Sequence, residues 1–343
     1  MDVLVVSLGT TRGLRVADAA FVDQLRGVGA SAEAVAVRIG ALDRLRRGYP
    51  ANDLIEAAAA RRTLGGALAR RRPRAVVFSS VTAAMLAPAP ELPSAVRLDS
   101  PAALNRPGAR NAVLHALERR ALGRARLVLP WSDAALAALP GPGARPVVLP
   151  PPIEPSGPVD GPRDRVAVAY VPDPKAKGLS LLCAAWRGAG VDGRLAVYGL
   201  EPERARRHLA RFGPGEPDGV DWRGHASAGD FRAALRTATA FVHSALWEDF
   251  GQAPLEALAD GALLATVPSR GAYAALAPAR ELAPELVAPS LDPDALAACI
   301  SAAFALEDGS DYRRRATDLL AQYRPETLEE TVRERVLPVL LRP

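Results

Sequence analysis

The stretch Trp247-Glu248-Asp249-Phe250-Gly251-Gln252-Ala253-Pro254-Leu255-Glu256-Ala257-Leu258-Ala259-Asp260-Gly261 decides how the chain is read. Just before it, Phe241-Val242-His243-Ser244-Ala245-Leu246 is a short apolar run of the kind that fills a buried parallel strand. Phe250-Gly251 breaks that run. Pro254 suits a first helical position, where its missing N–H is an orphan in any case. The spacing therefore predicts strand, glycine turn, and a helix over Leu255 to Ala259, with Glu256 in its first turn. Such a unit aims unpaired backbone N–H groups and the positive end of a helix dipole at the crevice outside the strand end. An anion belongs there, and open α/β sheets bind ligands there. From these residues alone two readings stay open: Glu256 complements its own helix dipole while Glu248 is a solvated loop charge, or both carboxylates face a ligand.

Working outward, the same alternation recurs. Val3 to Leu8 is a buried-strand run, followed by Gly9-Thr10-Thr11-Arg12-Gly13 and an amphipathic stretch from Leu14 to Leu25. Its glycines lack the G-x-G-x-x-G spacing of a dinucleotide fingerprint. A helix about Asp53 to Arg70, strands Ala75 to Ser79 and Ala95 to Leu98, a helix about Gly108 to Leu122 and a strand Leu127 to Leu129 follow. The proline-rich stretch Leu149 to Pro158 then ends all periodicity and reads as a semi-rigid linker. The pattern restarts with strand Val166 to Tyr170, helix Leu179 to Trp186, strand Arg194 to Tyr198, helix Glu203 to Arg211, strand Val220 to Trp222 and helix Asp230 to Thr237. After the strand that leads to Glu248 come strand Leu263 to Val267 and helices about Pro293 to Leu306 and Asp311 to Tyr323. Alternating strands and helices imply parallel sheets covered on both faces. The expected class is α/β, with two Rossmann-like doubly wound domains.

Only two of the 43 Lys+Arg residues are lysines, Lys175 and Lys177, and both fall in Tyr170-Val171-Pro172-Asp173-Pro174-Lys175-Ala176-Lys177-Gly178-Leu179. A background that otherwise uses Arg throughout points to a need for a compact ammonium here, since the two cations bind oxyanions with different geometry. Chance clustering is the competing reading.

The segment Phe241 to Gly261 resembles the signature of the retaining glycosyltransferases of GT-B fold, in the large family numbered four, also called group 1. Ser244, Glu248, Phe250, Gly251, Glu256, Ala257, Ala259 and Gly261 match its pattern in register, and Asp249 stands where a glycine is common. The resemblance implies two domains facing across a cleft: an acceptor domain over residues 1–155, a nucleotide-sugar donor domain over 156–325, and a C-terminal helix over 326–343 that crosses back to the first domain. It gives Glu256 the ribose hydroxyls of a nucleotide sugar and Glu248 the sugar or the reacting centre. Lys177 matches the phosphate-binding lysine of a Lys-Gly pair, whereas Val171 stands where relatives carry an arginine.

Phe250, Gly251, Gln252 and Lys175 then join the donor site, and Gly224 and His225 lie where relatives pass backbone atoms beside the nucleobase. Gly9 occupies the place of the N-terminal glycine loop, although ordinary turn glycines fit equally. Asp99 follows Leu98 where relatives have His-Asp; it is a third catalytic candidate, with capping of the next turn as its alternative. The implied function is transfer of a sugar from a nucleotide-diphosphate donor to an unknown acceptor without metal or other cofactor. The alternative is a catalytically degenerate relative that binds nucleotide or glycan and supports a partner enzyme, motivated by Val171, Leu98 and Asp249.

Composition sets the outer limits. A chain of 343 residues, nearly half of them apolar, has room for two ordinary cores. Met1-Asp2 runs straight into an apolar strand with no basic segment or cleavage site, so a cytoplasmic location is expected. Prolines at 88 and 93 argue against a spanning helix from Val81 to Val96. Cys183 and Cys299 sit in apolar patterns and read as core residues. Asp292-Pro293-Asp294 superficially matches a metal-binding pair but reads better as an N-cap followed by proline. Residues 1 to 155 carry 21 Arg against 12 Asp+Glu, a net +9, and the remainder is net −4. The basic half either attracts an anionic membrane surface or, the weightier reading, places Arg at helix C-termini to complement their dipoles. Its basic stretches lack interleaved aromatics, which excludes nucleic acid as an expected partner.

Overall fold

Every residue of Val3–Ser7 is buried, as the unbroken apolar run requires of a strand covered on both faces. The computed structural model describes residues 1–342 apart from 47, 89–91, 140, 142, 143, 160 and 214. The chain divides into a first unit of Met1–Pro152 with Tyr323–Pro343 and a second of Ile153–Gln322. The strands of the first unit are β1 (Val3–Ser7), β2 (Ala32–Ala36), β3 (Ala75–Phe78), β4 (Ser94–Leu98), β5 (Leu127–Pro130) and β6 (Arg145–Pro146). They form one parallel sheet in the order β2-β1-β3-β4-β5-β6.

Alternate strand residues build two cores, because side chains along a strand point to opposite faces. Leu4, Val6, Val76, Phe78 and Val96 meet Leu64 of the helix Ala51–Arg71 and Leu114 of the helix Ala112–Arg124. Val3, Val5, Val77, Leu127 and Leu129 meet Phe21 and Leu25 of the helix Arg12–Gly27 on the other face. Leu328, Val332, Val336 and Leu340 of the C-terminal segment complete that second core. Their spacing of four keeps one apolar stripe on the sheet. The segment expected as one C-terminal helix over 326–343 runs as α-helix Pro325–Thr331, a π turn Val332–Val336 and a short helix Leu337–Leu340. Pro338 cannot donate to the carbonyl four residues before it, and the widened turn lies directly ahead of it.

The second unit contains β7 (Asp164–Tyr170), β8 (Arg194–Tyr198), β9 (Val220–Gly224), β10 (Ala238–His243) and β11 (Leu263–Thr266). All pair in parallel in the order β11-β10-β7-β8-β9. Sequence order reverses between the adjacent strands β7 and β10, so the crevice outside their C-terminal ends is the topological switch point. Two parallel-sheet α/β units of six and five strands are thus the observed architecture.

Several boundaries differ from the sequence expectation. β2 and β6 were not expected. Ala32–Ala36 is a half-buried edge strand of Ala and Glu that carries no β-branched run beyond Val35, and β6 has only two residues. The helix expected from Leu255 begins at Gln252, with Gly251 at its N-cap in a left-handed conformation (φ 90°). Pro254 is therefore the third helical residue. Any of the first four helix N–H groups is an orphan, so proline fits there as well as at the first position. Glu256 consequently sits beyond the first turn. Cys183 and Cys299 are buried free thiols. Asp292 caps the helix Pro293–Ala305 by accepting from Ala295 N at 2.9 Å.

Candidate functional site

Two loops meet at the switch point of the second sheet. After β7 the chain makes a compact turn: Asp173 Oδ1 accepts from Lys175 N (3.0 Å) and Ala176 N (2.7 Å), and Lys177 N donates to Asp173 O (3.0 Å). After β10, Leu246 N donates back to Ala176 O (2.9 Å), and Ser244 Oγ donates to Lys177 O (2.9 Å). Gly178 is what lets the loops close. Its φ is 63°, and a β-carbon there would collide with the Ser244 carbonyl oxygen. Gly178→Ala is expected to cost about 2 kcal/mol or more from left-handed strain plus the collision. Gly190 has a similar φ of 58° with nothing within 4 Å; Gly190→Ala is expected to cost only about 1 kcal/mol. Denaturant unfolding of both variants checks the difference, and equal losses would remove the packing role of Gly178.

The closed turn delivers Lys177 to Glu248: Nζ to Oε2 is 2.6 Å, with the side chains 22% and 12% exposed. Glu248 is fixed by its backbone, its N–H donating to Arg270 O at 2.8 Å. A β-carbon on Gly271, at φ 104°, would collide with the Glu248 carbonyl. The neighbouring Asp249, which departs from the resembled pattern, accepts from Trp247 Nε1 at 2.9 Å and so stiffens the same loop. His243, the last residue of β10, is buried, and its Nε2 lies 3.7 Å from Glu248 Oε2. Burial first, and the Lys177 charge second, push its pKa well below the usual histidine value, so the ring is neutral.

The helix Gln252–Ala259 begins beside this pair. Gly251 offers no side chain to cap the first helix amides. Glu256 Oε1 accepts from Gln252 Nε2 at 3.0 Å and lies 3.9 Å from Arg232 Nη1. Arg232 is itself fixed on the fully buried Asp260, through Nε to Oδ2 and through Nη2 to Oδ1 at 3.0 Å. Asp260 Oδ1 also accepts from Ser156 N and Oγ at 2.7 and 2.9 Å. A buried carboxylate needs such a full set of donors, and this one anchors the helix that presents Glu256. Arg232, Asp260 and Tyr273, which tilts against the His243 ring at 4.7 Å, escaped the sequence reading. They come from separate segments, and no local spacing marks them.

The other candidates fall as follows. Lys175 is exposed in the turn, where its N–H donates to Asp173 Oδ1. Val171 is 1% exposed and packs inside. Phe250 is buried at 4% exposure, which makes its side chain a support for the loop. Gly224, at φ 58°, ends β9 with its carbonyl accepting from Gly199 N at 2.7 Å, and His225 beyond it is exposed.

In the first unit, Gly9 follows β1 at φ 53°, its carbonyl held by Arg15 Nη1 at 2.9 Å, and Leu8 N donates to Ser79 Oγ at 2.9 Å. Asp99 follows β4, half-buried, with Oδ1 accepting from Ser100 N at 2.8 Å. Beneath them lies a buried ion pair, Arg97 Nη1 to Asp18 Oδ1 at 3.0 Å, with Ser7 Oγ donating to Asp18 at 2.6 Å. Burial lowers the Arg97 pKa to about 10.

The family profile described as glycosyl transferases, group 1, matches residues 163–305, which span this site. No curated protein sequence matches the chain. Among solved structures, sucrose-phosphate synthase from Thermosynechococcus elongatus is similar at 16% identity and TM-score 0.72, over 97% of each chain. HepE from Anabaena, in complex with UDP and glucose, is similar at 15% identity and TM-score 0.70, over 98% of this chain and 100% of that one. A trehalose-6-phosphate synthase studied for glycosyltransfer with retention is similar at 13% identity and TM-score 0.67, over 98% and 99%. At these identities the likeness shows the fold alone: two parallel-sheet α/β domains of the GT-B class.

Proposed function

We propose that the protein is a retaining glycosyltransferase that moves a sugar from a nucleotide-diphosphate donor to an acceptor. The observation that carries this reading is the meeting of Lys177 and Glu248 at 2.6 Å on adjacent strand ends of a switch point, beside an uncapped helix N-terminus. Breaking a glycosidic bond to phosphate builds positive charge on the sugar ring and negative charge on the leaving group. Lys177 and the amides at Gln252 and Ala253 are preorganised positive groups for that leaving diphosphate. In this reading Glu248 meets the sugar, and Glu256, one turn into the helix, takes the ribose hydroxyls. HepE is seen with UDP and glucose, and glycosyltransfer with retention was the subject of the trehalose-6-phosphate synthase structure. Both support the donor class and the stereochemistry. Asp99 and Gly9 are our candidates for acceptor and donor contacts from the first unit, and His225 and Gly224 for the base.

The proposed reaction needs no metal, because Lys177 and the helix amides supply the positive charge. Activity is expected to survive a chelator; loss on chelation with recovery in magnesium or manganese would contradict this. Among the described residues no helix is long and apolar enough to cross a membrane.

One observation favours a second reading, a binding protein without turnover. The positions of the two expected site residues are buried apolar side chains, Val171 and Leu98, each 1% exposed. Donor hydrolysis across a panel of nucleotide sugars separates the readings, since slow leakage to water accompanies transfer chemistry. Binding without hydrolysis of any donor would establish the second.

A further inference from the structure

The Lys177–Glu248 pair raises a difficulty for its own proposed use. A lysine that holds a diphosphate has to let go of the carboxylate it now neutralises. Glu248 is 12% exposed, so losing its partner would leave a largely desolvated charge, which is costly. A replacement donor stands beside it. His243 is 5% exposed, its Nε2 has no hydrogen-bond partner, and that nitrogen lies 3.7 Å from the very oxygen, Oε2, that Lys177 occupies. The ring is held on two sides, stacking on Phe241 at 6.5 Å and tilting against Tyr273 at 4.7 Å. Tyr273 is pinned in turn through its hydroxyl to Thr266 Oγ1 at 2.9 Å. A neutral histidine carries one N–H, and a carboxylate 3.7 Å from Nε2 selects the tautomer that places it there.

Resting on the functional reading above, we propose that His243 is a positioning residue that takes over Glu248 Oε2 when Lys177 passes to the donor diphosphate. Lys177 is then a shared cation, held by Glu248 in the free protein and by phosphate oxygens in the complex. The shift required of His243 is under 1 Å, from 3.7 Å to ordinary hydrogen-bond length. Lys177 from the β7 turn, Glu248 from its own loop, and Tyr273 and Thr266 from the segment after β10 are the charged and titratable or polar groups that face the ring. Lys177 disfavours imidazolium, which keeps the ring a neutral donor. In the free protein His243 idles, and this accounts for a buried nitrogen with nothing to bond.

The test is a double-mutant cycle read by calorimetric titration with UDP, GDP and ADP, using whichever the parent binds. His243→Phe keeps an aromatic ring against Tyr273 but removes the donor. It is expected to weaken nucleoside diphosphate binding roughly 10-fold, the scale of one hydrogen bond to a charged group. In a Glu248→Gln background no charge is stranded when Lys177 leaves, so adding His243→Phe is expected to change binding less than about 2-fold. His243→Gln, which keeps an N–H at similar reach, is expected to restore binding to near the parent. Should His243→Phe fold poorly, His243→Asn, whose amide is too short to reach Glu248, is expected to show the same loss and the same cancellation by Glu248→Gln.

Parent-like binding by His243→Phe, or a loss that persists undiminished beside Glu248→Gln, overturns the proposal and leaves the glycosyltransferase reading standing. A parent that binds none of the three nucleotides overturns both.

Discussion

Lys177→Ala is expected to lower donor turnover by about 100-fold or more, the usual loss when a preorganised donor to a developing oxyanion is removed. The turn that carries Lys177 is held by backbone bonds to Asp173 and by Ser244 Oγ, none of which uses the ammonium. The loop should therefore keep its shape in the variant, and a matched unfolding curve verifies this. Lys175→Ala is the internal control. Lys175 is exposed and contributes only backbone groups to the turn, its N–H to Asp173 Oδ1 and its carbonyl to Gly178 N, so loss of its side chain is expected to change turnover a few-fold at most. A Lys177→Ala variant that turns over like the parent would remove the lysine from the chemistry and leave the diphosphate to the helix amides alone.

The second large effect is a split between the two glutamates. Glu248→Gln is expected to lower turnover about 100-fold while leaving nucleoside diphosphate binding intact or tighter, because the charge that competes for Lys177 is gone. Glu256→Ala is expected to do the reverse: donor binding weakens roughly 10-fold or more while the rate at saturation changes little. The asymmetry follows from position. Glu248 sits on the approach loop, paired to Lys177 at 2.6 Å, whereas Glu256 sits one turn into the helix beside Gln252 and Arg232. Steady-state kinetics with a parallel binding titration reads both quantities, and identical profiles for the two variants would contradict the assignment.

These residues also mark how far the sequence alone reaches. The parallel sheets were legible because strands buried on both faces carry near-continuous apolar runs, as Val3 to Val6 and Ala240 to Val242 do. The edge strand Ala32–Ala36 was not, since an exposed edge tolerates Glu33 and small side chains that carry little strand signal. Pro254 marked a helix start but not its position, because any of the first four helix N–H groups is an orphan that proline can replace. Glu248, Glu256 and Lys177 stood out through their match to a family pattern, and Lys177 also through the scarcity of lysine. The Arg232–Asp260 anchor and the approach of His243 to Glu248 join residues distant in sequence, and only the folded sheet brings them together. The turn that carries the two lysines was not legible either, because it is set by the Asp173 side chain accepting from the amides of Lys175 and Ala176.

The account turns on whether the second unit binds a nucleoside diphosphate through Lys177, and calorimetric titration of the parent and Lys177→Ala with UDP, GDP and ADP tests it most directly. The account predicts saturable binding of at least one nucleotide by the parent, weakened about 10-fold or more in Lys177→Ala. No binding by the parent, or equal affinity in the two proteins, would contradict it.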